Sequence, residues 1–227
     1  MPGGYQREVG MDIFIGYDPG GNGKHGVALL EVGSTDERKL KVYTGKYGFE
    51  VVDWIRDNCS MTPMAIGIDT LLTWDLSTSG WRQADLALRE RYPVVRSSVA
   101  SPNSLYGSMS IQGAALALAI RALWPSIVIT ETHPKVLYHA LSNHKHDWRN
   151  AATEMTGWLF QEFGILPMDI EDDHQWDAAI SAVAAYQGYI GIWEMDLVSL
   201  ADDFIFPVPE TKYFWPETIN KRRIVTS

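Results

Sequence analysis

In DIFIGYDPGGNGKHGVALLEV (residues 12–32) a short apolar run ends in Asp18, crosses a glycine-rich turn and resumes as a second apolar run. The first run, 12–17, is too short for a stable helix and suits a buried central strand. VALLEV at 27–32 gives a second strand. After the polar turn GSTDERK, LKVYTG at 40–45 gives a third. Strand, turn, strand, turn, strand is an antiparallel meander. Asp18 closes the first strand and is followed by Gly20, Gly21, Gly23 and Gly26. Glycines let a backbone approach a ligand closely. Asp and Gly are also ordinary hairpin residues, but this loop is longer and richer in glycine than a tight turn needs.

Downstream the pattern changes. FEVVDWIRDNC (49–59) has apolar residues at helical spacing, and MAIGID (64–69) is a buried strand ending in Asp69. A charged helix at 81–91, a Pro- and Ser-rich loop at 93–107 and the apolar helix SIQGAALALAIRALW, stopped by Pro125, come next. The β-branched run 127–131 ends in Glu131, and helices follow at about 147–163 and 172–190. Three antiparallel strands followed by βα units predict an α/β fold, a mixed five-stranded sheet with helices on both faces. Strands 1 and 4 should lie side by side and parallel, with ligands at their carboxyl ends. Residues 1–10 read as a frayed tail and 11–202 as the domain. Residues 203–227 carry Phe204, Phe206, Tyr213, Phe214 and Trp215 among three prolines. Disordered tails are poor in aromatics, so this arm should pack on the domain or across a partner subunit of a homodimer.

Bulk properties narrow the classes. A length of 227 residues fits one domain, and 46% hydrophobic residues can build a sizeable core. The single Cys59 excludes an intramolecular disulfide and argues against a cysteine-based zinc site. It suits a cytoplasmic location. No secretory h-region is visible, and the longest apolar helix is short and interrupted by Arg121, so no membrane span is expected. The net charge of −9 sits poorly with the basic footprint of nucleic-acid binders. Any such binding should be weak and salt-sensitive.

The acidic strand ends carry the chemistry. Carboxylates gathered at one sheet edge hold hard cations such as Mg²⁺ or Mn²⁺, and two such cations can clamp the attacking and leaving oxygens of a phosphodiester. Asp69 could instead cap a following helix. Glu131 and His133 precede Pro134, a helix-start arrangement as well as a candidate site. Asp173, His174 and Asp177 stand three and four residues apart on one helix, so they share a face. A dipole-complementing acidic turn accounts for Asp172 and Asp173. It does not account for Asp177, a turn further in. Ala178, Ala179, Ala182, Ala184 and Ala185 would let that helix sit close on the sheet. The tract His144-Lys145-His146 has metal-binding residue types but reads more readily as a solvated loop. Trp74 and Trp81, flanking the Asp69 loop, are core aromatics or stackers of bases.

Taken together, GYDPG, GIDT, WRQADLALR, ETHP and DDHQWDAA resemble the predicted RNase H-like nuclease family catalogued as domain-of-unknown-function family 429, over about residues 12–190. WRQADLALR is similar to that family's Arg-x-x-Asp-x-x-Leu-Arg element at Arg82, Asp85, Leu88 and Arg89. The Glu-x-His-Pro element falls at Glu131, His133 and Pro134. The wider superfamily includes the RuvC resolvases, and the resemblance implies an RNase H-like fold and a nuclease using two divalent cations, Mg²⁺ or Mn²⁺. It implies that Asp18, Asp69, Asp177 and either His174 or Asp173 hold the metals. Beside these, Glu131 is read as a catalytic residue that orients water or a ligand, and Arg82, Arg89 and His133 as substrate contacts. Resolvases usually have Glu where this chain has Asp69. Two rivals remain open: an actin-like ATP-binding relative, and a non-catalytic binding or assembly protein that kept the fold.

Overall fold

The structure, a computed structural model, describes residues 11–21, 23–76, 79–101, 107–201, 204–205 (backbone only) and 207–219. The tail at 1–10, and Phe206 and residues 220–227 of the arm, lie outside the described residues.

The meander is β1 (Asp12–Asp18), β2 (His25–Val32) and β3 (Arg38–Gly45). Helix α1 (Gly48–Asn58) leads to β4 (Ala65–Ile68) and the short β5 (Trp74–Asp75). Helix α2 (Gln83–Arg91), a 3₁₀ segment (Pro93–Ser98), α3 (Gly107–Leu123) and β6 (Val128–Glu131) follow. Three helices come next: α4 (Pro134–Ser142), α5 (Trp148–Phe163) and α6 (Asp173–Tyr189). The chain closes with short strands β7 (Met195–Asp196), β8 (Phe204–Ile205), β9 (Thr211–Lys212) and β10 (Phe214–Trp215).

The main sheet runs β3-β2-β1-β4-β6-β9. β1 pairs antiparallel with β2, and β2 with β3; β4, β6 and β9 extend the sheet from β1 in parallel. The expected mixed sheet is present, with two departures. It has six strands rather than five, because Thr211–Lys212 of the C-terminal segment pairs beside Ile129 and Thr130. Two residues are too few to show an alternating pattern. Helix α4 also lies where only a helix start was visible; His133 is its N-cap and Pro134 opens it.

Period-two alternation assigns the layers. Ile13, Ile15 and Tyr17 of β1 pack with α1 and α3 on one face. Phe14 packs on the other face, with α6 and the helices outside it. Gly16 and Asp18 share Phe14's parity, as Gly67 and Asp69 share that of Ala65.

Helix α6 is buried almost all round, and glycines let it in. A Cβ on Gly16 would lie 1.8 Å from the Ala178 carbonyl oxygen, one on Gly67 2.1 Å from that of Ser181, and one on Gly26 2.0 Å from that of His174. Positions 174, 178 and 181 form one helix face. Three neighbouring strands thus each offer a glycine to the same stripe of helix backbone. Backbone meets backbone there, which places the start of α6 against the end of β1.

The C-terminal segment is tied in by buried aromatics. Tyr213 and Trp215 are fully enclosed, and the Trp215 indole N–H donates to the Tyr92 hydroxyl at 3.0 Å. The Tyr92 hydroxyl in turn donates to Glu217. Among the described residues no helix is long and apolar enough to cross a membrane.

Candidate metal centre

β1 and β4 are parallel neighbours in register Tyr17↔Ile68, so Asp18 and Asp69 emerge side by side at the same sheet edge. Both have the parity of the α6 face. Asp177 comes to that edge from the second turn of α6. The three carboxylates are close enough to repel. Burial first, then the charges of Asp69 and Asp177, push the Asp18 carboxyl up to about 8, against the opposing hydrogen bond from His174. Burial raises Asp177 too, with Asp69 adding to the effect. Asp18 and Asp177 are each only 3% exposed.

Each of these acids faces a basic side chain. His174 Nδ1 lies 2.6 Å from Asp18 Oδ2. That bond raises the His174 imidazole. Asp177 has His146 Nε2 at 3.4 Å and Lys135 Nζ at 3.8 Å. Asp69 has His133 Nδ1 at 3.6 Å. Asp177 Oδ1 and His146 Nε2 are buried without a hydrogen-bond partner. Gly20 permits the Asp18–His174 contact, since a Cβ there would meet Nδ1 at 2.6 Å. Asp173 stands apart, its carboxylate 42% exposed and 3.9 Å from His174 Nε2. Asp172 is the true cap of α6, accepting from the Gln175 N–H at 2.8 Å and from the Thr44 hydroxyl at 3.0 Å.

Other residues singled out in the sequence have structural partners. Glu131 has the parity of Ile129, opposite to that of Asp18. Its carboxylate accepts from both ends of the Arg82 guanidinium, at 2.6 and 2.8 Å, and from the Leu72 N–H at 2.8 Å. Arg82 is 4% exposed and also donates to Asp85 and to the Thr73 hydroxyl. This network braces the loop that follows Asp69. It leaves the Arg82 donors engaged inside the protein and 1% exposed Glu131 at the back of the site. Arg89 donates to the Arg96 and Val99 carbonyls and lies over the Trp81 ring, 4.7 Å from its centroid. His133 lines a cavity of about 240 Å³ with Asp69, Thr70, Met109, Glu131 and Lys135. The sequence did not point to Lys135, since a Lys after His-Pro carries no spacing signal of its own. The tract His144-Lys145-His146, read as a solvated loop, is exposed at its first two residues, but His146 turns inward to Asp177 and is only 10% exposed.

Donor chemistry and placement fit a hard divalent cation: three carboxylates and a histidine at one edge, a buried Asp177 oxygen that has His146 Nε2 at 3.4 Å but no hydrogen bond, and two carboxyls raised by burial and by their acidic neighbours. Among the described residues, however, no three His, Cys, Asp or Glu side chains are already drawn together as a coordination shell. Each of the three carboxylates instead has an imidazole or ammonium within 4 Å.

No family model matches the chain, that of the nuclease family it resembles included, and no curated protein matches it. Among solved structures it is similar to the Thermus thermophilus RuvC structure, at 15% identity and a TM-score of 0.46, over 79% of this chain and 96% of that one.

Proposed function

We propose that this chain is a divalent-metal-dependent phosphodiesterase of RNase H-like fold that hydrolyses nucleic acid. The observation that carries the reading is the convergence of Asp18, Asp69 and Asp177 at one sheet edge, close enough that Asp69 adds to the raised proton affinity of both Asp18 and Asp177. A protein gains no stability from gathering buried like charges, so the arrangement asks for a cation. The order β3-β2-β1-β4-β6, antiparallel and then parallel, supports the fold assignment drawn from the sequence motifs.

Asp18, Asp69 and Asp177 would hold Mg²⁺ or Mn²⁺. His174 completes the set in preference to the outlying Asp173. The bound cations would supply positive charge to the attacking and leaving oxygens of the phosphodiester. The protein's own groups do the rest. Asp18, its carboxyl raised by burial, would have to be deprotonated to hold a cation. On the wall of the adjoining cavity Lys135 would neutralise a phosphate and His133 would orient it. The Arg82–Glu131 network fixes the loop bearing Asp69, so Glu131 and Arg82 act as positioning residues.

The pairing of every carboxylate with a base favours a second reading, a non-catalytic protein on the same fold. Calorimetric titration of Mn²⁺ separates the two. Micromolar binding that tightens between pH 6.5 and 8.5, and is lost in Asp18→Asn, is expected for the enzyme. Equal affinity in that variant, or no binding to the wild type, would overturn the proposal.

A further inference from the structure

The sheet edge at which β1 ends also carries two exposed aromatic rings, at the start of α1. β3 ends at Gly45 and α1 starts at Gly48. The connection presents Tyr47 and Phe49 to solvent, 58% and 69% exposed. Their rings are parallel within 6°, with centroids 5.3 Å apart. Register places them at the same sheet edge as the site, though α1 packs on the face opposite to that of the Asp18 side chain: Asp18 pairs with Gly26, and Gly26 with Thr44 at the end of β3. Two strand spacings, roughly 10 Å, separate the Asp18 backbone from that end. Beyond Phe49 an apolar groove of about 290 Å³ runs between α1 and α3 past Val52, Ala115 and Ala119. Lys24 and Lys46 are exposed on the same rim. Nearby Glu50 accepts from the Tyr43 hydroxyl and the Lys46 N–H.

We propose that Tyr47 and Phe49 form a stacking platform for unpaired nucleobases, so that the substrate of the adjoining carboxylate site is single-stranded nucleic acid. The inference rests on the nuclease reading above. Base–aromatic stacking is sequence-tolerant and strong for its area. It also answers the objection from charge. A chain of net charge −9 has few cations to spend on phosphates, so its affinity must come from a term that charge does not set. Two lysines flanking apolar rings provide that combination. Duplex bases are already stacked on one another and offer no free face to the rings. A second copy of the chain is the poorer occupant, since it would set Lys24 and Lys46 against like charges and press two acidic chains together.

The test is fluorescence anisotropy of a labelled oligothymidylate and of a duplex of equal length, in low salt with chelator so that cleavage plays no part. The wild type should bind the single strand more tightly than the duplex. Phe49→Ala and the double variant with Tyr47→Ala should weaken single-strand binding roughly tenfold or more, while Phe49→Trp retains it. Mn²⁺ affinity should be equal in all four proteins, which shows that the carboxylate site is intact. Absent binding, unchanged binding in the double variant, or a preference for duplex overturns the platform. So does a dimer in the wild type that the double variant converts to monomer, which would assign these rings to a contact between copies. Loss of Mn²⁺ binding in the wild type itself would sink the nuclease reading and leave the stacking result standing.

Discussion

Gly16→Ala is the sharpest probe of how this fold places its site. The added Cβ would stand 1.8 Å from the Ala178 carbonyl oxygen and 2.5 Å from the Ala182 nitrogen. Real carbon contacts to such atoms lie above 3.0 Å, so α6 must retreat by roughly 1 Å. Both atoms belong to backbone, and no side-chain rotation can relieve them. Overpacking of a core costs about 1–3 kcal/mol, and we expect the upper end because α6 is enclosed on every side. Gly157→Ala is the matched control. Gly157 lies exposed within α5, and a Cβ there meets nothing within 4 Å. The same chemical change should stabilise that helix by about 0.5–1 kcal/mol. Urea unfolding of the two variants and the wild type should therefore give shifts of opposite sign. Because α6 carries His174 and Asp177, the Gly16 variant should also lose Mn²⁺ affinity without touching a proposed ligand. A Gly16→Ala loss below about 0.5 kcal/mol, or a gain, would refute the argument that glycine seats the helix.

Two further outcomes follow from the buried charges. Burial and its acidic neighbours hold Asp18 up to about 8, so its contribution to stability is complete below about pH 4 and lost as pH rises toward 8. In chelator, Asp18→Asn should be more stable than the wild type at pH 8, by on the order of 2–4 kcal/mol, and the gap should close toward pH 4. Parallel stability-versus-pH curves from urea titrations would count against it. Arg82→Leu leaves the Asp85 and Glu131 carboxylates buried without their guanidinium. It should cost about 3–5 kcal/mol in chemical denaturation; a loss below about 1 kcal/mol would show that the network is not holding the Asp69 loop.

The residues alone determined the frame. Apolar runs closed by Asp18, Asp69 and Glu131 gave the strand ends, because a buried strand is legible from its own side chains and its turn. The meander followed by βα units gave the mixed sheet, and helical spacing put His174 and Asp177 on one face. Tertiary structure decided what each acid meets. Glu131 ends its strand much as Asp18 does, but on the opposite parity, and Arg82 reaches it from 49 residues away. Lys135 and His146 become the partners of Asp177 only when α4 and the loop before α5 fold over α6. The sixth strand, two residues long, forms because β6 offers an open edge. The glycines behaved likewise. Their number was plain in the sequence, but Gly16 and Gly67 are required by a helix more than 100 residues further on, and no local pattern records such a contact. Local periodicity reports how a segment meets solvent and core; the identity of the neighbour depends on long-range closure, which only the assembled chain supplies.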